Sequence, residues 1–190
     1  MNLQQAVSLT GDLRVTNAGS FTIGSTVDID GNLTIDAATN VMFSGNVTVD
    51  GNLTITNATS VLFAGTLTVG GQLTITNVSG STRFAGDVAV GAAAIRSATL
   101  VQVQADFAST GAAGDGDVTF TTDQVGFTTG TIQSTAVSAS APSATLTVKP
   151  WTASRALTIA SPPGSPSGLN ITDADLSAIL PGWKRVVLGD

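Results

Sequence analysis

Two identical stretches of sequence, Asp30-Gly-Asn-Leu-Thr-Ile35 and Asp50-Gly-Asn-Leu-Thr-Ile55, lie 20 residues apart. The related stretches Thr10-Gly-Asp-Leu-Arg-Val15 and Gly70-Gly-Gln-Leu-Thr-Ile75 continue this spacing on both sides. Self-similarity at a fixed period of this length is the signature of repeat proteins, in which each unit stacks on its neighbours. The repeat therefore decides the fold before any single motif does.

When the 20-residue units are aligned, apolar residues occupy the same positions in every unit. Between these positions polar and apolar residues alternate, which predicts short strands with one buried face and one exposed face. We expect the apolar positions to stack as inward-facing core ladders. The clearest ladders are Leu33/Leu53/Leu73, Ile35/Ile55/Ile75 and Phe43/Phe63/Phe84.

Gly and Asn interrupt the alternating segments, so that each unit holds three short strands and three corners. Such a path returns the chain to its start, displaced by one strand spacing of about 4.8 Å. Parallel crossovers within one sheet are right-handed in about 98% of cases. The sequence therefore predicts an all-β right-handed parallel β-helix, or β-solenoid, with triangular coils of about 20 residues. Leu3, Val7 and Leu9 fit the same register, so we expect the chain to begin in mid-coil as a piece of a longer protein.

The period is regular over residues 1–90 and loosens over residues 91–190, where we expect the solenoid to continue with irregular coils. Residues 161–168 contain three prolines and predict a loop. Leu176, Ile179 and Leu180 have helical spacing after Thr172 or Asp173 as N-cap, which predicts one short helix over about 173–180. A terminal strand is expected within residues 183–189.

The composition excludes most catalytic chemistry. The chain has no Cys, no His and no Glu, so it offers no Ser-His or Cys-His nucleophile and no thiolate or imidazole metal ligand. Seven basic residues against 13 acidic ones give a net charge of −6, which disfavours binding to nucleic acid. No run of 18 apolar residues is present, and the first residues lack the pattern of a signal peptide. We expect a protein that is not an enzyme, carries no cofactor and has no membrane span.

Several segments resemble a known family. The Asp-Gly-Asn-Leu-Thr-Ile coils, Gly116-Asp-Val-Thr-Phe120, and Leu169-Asn-Ile-Thr-Asp-Ala-Asp-Leu176 followed by Val186-Val-Leu-Gly189 are similar to the repetitive passengers of filamentous-haemagglutinin-type and autotransporter-like bacterial surface proteins. The resemblance implies a right-handed β-helix that is secreted or displayed on the cell surface. It further implies a structural, non-enzymatic segment of a large adhesin or surface fibre.

Two acidic groups are the candidates for metal binding. Calcium requires six to eight oxygen ligands, which solenoids supply from tandem Gly-Asp repeats. Position 70, where the next acid of the first group would fall, is glycine, so we interpret both groups as solvated turn residues, with calcium as the alternative. The five candidates are Asp28, Asp30, Asp50, Asp115 and Asp117.

Two outward surfaces suggest other functions. Thr34, Thr54 and Thr74 predict a column of hydroxyls like that of ice-binding solenoids, although Arg14 and Asp36 interrupt it. The only two tryptophans are close in sequence to basic residues, and such an edge suits a glycan or a partner subunit. The candidate edge is Trp151, Trp183, Lys184 and Arg185, with Lys149 and Arg155 nearby.

The expected partners are another copy of the chain, associated end to end or laterally, and host or environmental glycans. A carbohydrate-binding or polysaccharide-degrading β-helix is the alternative function, and an ice-binding solenoid is the third.

Overall fold

Strands of successive coils pair in parallel, with an offset of 20 residues up to Val78 and of 21 residues between Thr82 and Val90. The structure is a computed structural model that describes residues 1–138, 141–159 and 168–189. It is an all-β parallel solenoid of about six turns with one short helix near its C-terminal end. The predicted fold class is therefore confirmed.

The regular half is built from eleven strands. They are β1 (Asn2–Leu3), β2 (Val7–Leu9), β3 (Leu13–Val15), β4 (Ala18–Ile23), β5 (Val27–Ile29), β6 (Leu33–Phe43), β7 (Val47–Val49), β8 (Leu53–Phe63), β9 (Leu67–Val78), β10 (Ser81–Phe84) and β11 (Val88–Ser97).

The second half continues the stack with shorter strands. They are β12 (Leu100–Val103), β13 (Phe107–Ser109), β14 (Val118–Thr122), β15 (Val125–Phe127), β16 (Ile132–Ser134), β17 (Val137–Ser138), β18 (Ala141–Pro142), β19 (Thr145–Lys149), β20 (Leu157–Ile159), β21 (Leu169–Ile171) and β22 (Arg185–Leu188). Helix α1 spans Asp173–Ala178.

The core consists of the predicted ladders. Leu33 pairs with Leu53 and Leu53 with Leu73, and the isoleucine column beside them pairs in the same way. All nine ladder residues are at most 1% exposed. Phe43, Phe63 and Phe84 stack nearly parallel, with ring centroids 5.1 and 5.5 Å apart. Repetition of one residue type at one position thus gives a continuous aromatic column inside the coils.

At one corner of two regular coils, the strands continue through the bend. Segments that the sequence separates are joined there, so that β6 and β8 each run unbroken for 11 residues. Small residues at the bend, such as Ala38 and Ala58, stay in register there. The chain therefore bends while its backbone ladder continues.

Coil length increases in the second half because the turns between its strands are longer. Ala93 pairs with Val118, and Val118 with Leu146, which are offsets of 25 and 28 residues. The turn between β13 and β14 holds Gly111, Gly114 and Gly116 in the left-handed backbone region, where glycine has no steric cost. The expectation of larger, irregular coils after residue 91 agrees with these offsets.

Helix α1 packs on the last coils of the stack. Thr172 is its N-cap, and the helix ends two residues earlier than predicted because Ile179 leaves the helix to form a parallel bridge with Ile132. Leu176 and Ile179 pack against the core. Most of the predicted loop at 161–168 lies outside the described residues. No helix within the described ranges has the length and apolar character needed to cross a membrane.

Candidate functional site

A polar ladder runs up one corner of the regular coils. The side-chain oxygen of Asp12 accepts the backbone N–H of Asn32 at 2.7 Å, Asn32 accepts that of Asn52 at 2.8 Å, and Asn52 accepts that of Gln72 at 2.7 Å. Asn32 also donates its side-chain amide to the same carboxylate oxygen of Asp12 at 3.0 Å. The ladder therefore begins at Asp12 and joins each side chain to the backbone of the next coil.

A second ladder uses carboxylates at another corner. Asp87 accepts the backbone N–H of Asp106 at 3.2 Å. One oxygen of Asp106 accepts the backbone N–H of Thr131 at 2.9 Å and its hydroxyl at 2.8 Å. The backbone bond, followed by the hydroxyl bond, stabilises the charged carboxylate and lowers the pKa of Asp106 below its ordinary value of 3.8. The carboxylates of Asp87 and Asp106 therefore accept backbone hydrogen bonds from the next coil.

The five calcium candidates are all exposed. Asp28 pairs with Thr48 in the next coil, while Asp117 accepts the backbone N–H of Thr145 at 2.6 Å. Within the described ranges, no three acidic side chains gather in a way that could hold a metal ion.

One outer side of the solenoid, which we call the threonine face, carries a column of outward residues along nearly the whole stack. Arg14 begins the column and forms an ion pair of 2.9 Å with Asp36. The members pair in register from coil to coil: Arg14, Thr34, Thr54, Thr74, Ala94, Thr119 and Thr147. Ala94 interrupts the hydroxyls in the middle of the column.

Beside this gap lies a group that we call the Trp151 cluster, consisting of Arg96, Lys149 and Trp151. The guanidinium of Arg96 lies over the indole of Trp151, 4.5 Å from the ring centroid. Arg96 pairs with Thr121, which pairs with Lys149, so the two basic residues are two coils apart in one column. Together with Ala94 and Thr119 they line a shallow depression on the threonine face.

The predicted contact edge is divided between two places. Trp183 is half-buried against the core, and its indole N–H donates to the carbonyl of Ile132 at 3.5 Å. Lys184 and Arg185 line a small depression with Thr145, at the beginning of β19. Trp151 follows the end of the same strand, so the strand separates the two tryptophans.

Arg155, although close to Trp151 in sequence, forms an ion pair with Asp123 instead of lying over the indole. Its guanidinium lies 3.1 Å from one carboxylate oxygen of Asp123. That oxygen accepts the hydroxyl of Thr152 and the other oxygen accepts the backbone N–H of Thr152, both at 2.9 Å. Asp123 is 8% exposed, so this pair holds the turn after β19 in place. The cation beside Trp151 is instead Arg96, which sequence reasoning missed. Arg96 precedes Trp151 by 55 positions across two enlarged coils, so no fixed period could have aligned them.

Comparison with known proteins gives this chain no relatives: no protein-family model, no curated protein and no solved structure matches it.

Proposed function

We propose that this chain is a non-enzymatic structural segment of a secreted bacterial surface fibre or adhesin, of the filamentous-haemagglutinin or autotransporter-passenger type. The observation that carries the proposal is the stacking of one coil on the next. Core side chains pack between coils, strands pair through their backbones, and corner side chains form hydrogen bonds to the following coil. Such a stack resists bending and spaces whatever it carries at a fixed distance. That is what a fibre segment must do.

Surface labelling of the source bacterium tests the location. Antibodies raised against the folded chain should label intact cells as strongly as permeabilised cells. An antibody against a cytosolic protein, labelling only permeabilised cells, serves as the control. Labelling by the chain-specific antibody only after permeabilisation would contradict a surface role.

A panel of polysaccharides tests the absence of enzymatic activity. The folded chain should release no reducing ends or unsaturated products from neutral or acidic polymers. Turnover that survives repurification, and that is lost on heat unfolding, would favour the polysaccharide-degrading alternative.

We propose that the partner of the chain is a second copy of itself, bound end to end. β1, β2 and β3 pair on one side only, with β4, β5 and β6, and among the described strands none pairs with their other side. An unpaired strand edge is a template for another strand. The opposite end carries α1 and β22 instead of a regular coil, so a contact between the two ends would be heterologous and would extend as a filament.

Sedimentation velocity at increasing protein concentration tests this contact. The double variant Val7→Lys with Leu9→Lys places charges on the first coil and should suppress association. The matched control Thr59→Lys with Thr68→Lys adds the same charge to exposed positions elsewhere on the coils and should associate like the wild type. If only the control variant loses association, the contact is lateral. A wild-type chain that stays monomeric at high concentration would contradict the proposed self-association.

A further inference from the structure

The Trp151 cluster has the features of a binding site for an anion, and its most informative feature is the position of Arg96. Arg96 is exposed, yet its guanidinium carbon lies over the indole of Trp151 at 4.5 Å from the ring centroid. Stacking of this kind leaves the in-plane N–H donors of arginine available for a carboxylate or sulfate, which they bind in bidentate fashion. Because the side chain is already held, less conformational entropy is lost on binding.

The surroundings of Arg96 also favour an anionic ligand. Within the described residues, no carboxylate forms an ion pair with Arg96. Lys149 lies in the same column two coils away, which corresponds to about 10 Å, and the nearly buried Thr121 lies between them. Two basic residues therefore belong to one column that runs along the solenoid axis.

The form of the depression favours a polymer over a small ion. It is open, and it is lined by residues from three successive coils, including Ala94, Thr119 and Lys149. A small anion on such a surface would keep most of its hydration and bind weakly, whereas a linear chain contacts successive coils at once. The indole is covered on one face by Arg96, so a neutral sugar cannot use that face for stacking.

We propose that the Trp151 cluster binds an acidic polysaccharide, with the polymer lying along the solenoid axis and one of its carboxylate or sulfate groups held by Arg96. This goes beyond the fibre role, because a stack of coils needs no ligand. Since the whole chain has a net charge of −6, general attraction of a polyanion to the protein is disfavoured, and we expect binding to be local.

Affinity electrophoresis of the full chain in gels containing polygalacturonate, dextran sulfate or neutral dextran tests the proposal. The wild-type chain should be retarded by at least one of the acidic polymers, by neutral dextran not at all, and less as salt rises from about 50 to 300 mM. Retardation by polygalacturonate alone or by dextran sulfate alone identifies the acidic group. No retardation by either polymer would overturn the proposal.

Three variants locate the site. Arg96→Gln should weaken binding about tenfold, which corresponds to the loss of one charge-assisted contact. The matched control Arg14→Gln removes the same charge from the same face and should bind within about twofold of the wild type. Arg96→Lys keeps the charge but loses the stacked fork, and should bind nearly as weakly as Arg96→Gln.

The remaining outcomes are also decisive. Equal losses for Arg14→Gln and Arg96→Gln, with no loss for Arg96→Lys, would show diffuse charge attraction and contradict the site. Stronger binding to phosphatidylglycerol vesicles than to either polymer, in a flotation assay, would assign the surface to membranes instead. Melting curves of all three variants should match that of the wild type, because Arg96 and Arg14 are both exposed.

Discussion

At the scale of single residues, the stack depends on how closely two coils approach at their corners. Gly45, Gly65 and Gly86 occupy one corner of successive coils, and a Cβ atom on Gly65 would lie 2.6 Å from both the carbonyl carbon and the carbonyl oxygen of Gly45. These are backbone atoms that cannot rotate away. Glycine is required there by the neighbouring coil, since none of these residues has a positive φ.

Gly65→Ala should therefore destabilise the protein by about 1–3 kcal/mol, because the added methyl group overpacks the corner. Gly126→Ala is the matched control, since a Cβ at Gly126 would meet nothing within 4 Å. The control should change the free energy of unfolding by no more than about 1 kcal/mol, and in the stabilising direction. Urea unfolding of both variants provides the comparison. Equal losses would show that the coils are not packed so closely.

The carboxylate ladder gives a pH dependence at Asp106. Its pKa in the folded chain is below 3.8, so its bonds to Thr131 contribute stability above pH 3.8 that is lost as the pH falls through the lowered folded value. Asp106→Asn retains an acceptor oxygen that does not titrate. Between pH 5 and pH 3, we therefore expect the melting temperature of the wild type to fall more than that of Asp106→Asn.

Asp30→Asn is the control for this comparison, because it removes one exposed carboxylate that lies outside the ladder. Its melting temperature should follow that of the wild type over the same pH range. Parallel curves for the wild type and Asp106→Asn would mean that the bonds to Thr131 add nothing to stability.

At the scale of elements, one carboxylate of helix α1 forms a hydrogen bond with the backbone of the solenoid. Asp175 is 5% exposed, closes a capping box with Thr172 and accepts the backbone N–H of Phe127 at 2.8 Å. The same side chain thus caps its own helix and satisfies a buried amide of β15. The sequence predicts the cap but not the bond to Phe127, 48 residues away.

Asp175→Ala should consequently cost about 2–4 kcal/mol, because it removes the cap and leaves the Phe127 N–H without its acceptor. Thr172→Ala removes the cap alone and should cost about 1 kcal/mol. Asp173→Ala, at an exposed position of the first turn, is the control and should cost less than either. Thermal unfolding measures all three. Equal losses for Asp175→Ala and Thr172→Ala would contradict a role for Asp175 outside the helix.

The fold could be predicted from the sequence in the part of the chain that repeats. The composition of the Trp151 cluster could not. Leu33, Leu53 and Leu73 share a coil position and could be aligned from spacing alone. After Gly91 the offset between paired strands changes from coil to coil, because turns of different length separate them. Trp151 was identified as a contact residue from its residue type. To place Arg96 beside it, the offsets of 25 and 28 residues between paired strands must be known, and only the three-dimensional structure gives them.

At the scale of the whole molecule, the two ends of the stack differ. The first coil is mostly exposed, with Leu9 37% accessible, whereas Phe43 and Leu53 in the following coils are fully buried. At the other end, α1 and Trp183 pack against the core. The stability of the stack should therefore be unequal along its axis.

Hydrogen exchange measures this gradient. The Val7 amide, bonded to Thr26 in the second coil, should exchange at least about a hundredfold faster than the Val47 amide, bonded to Thr66 two coils further on. Both residues occupy the same position of their coils, so each is the other's control. Equal protection would show that the stack opens only as one cooperative unit.

The spacing of the coils has a mechanical consequence for a chain under tension. Each regular coil folds 20 residues into one strand spacing, which is about 4.8 Å of axial length. The same 20 residues, once detached and drawn out, extend to roughly 66 Å. A coil that detaches therefore lengthens the chain more than tenfold at that point while the remaining coils keep their form. We expect a stack built in this way to extend in steps under a stretching force.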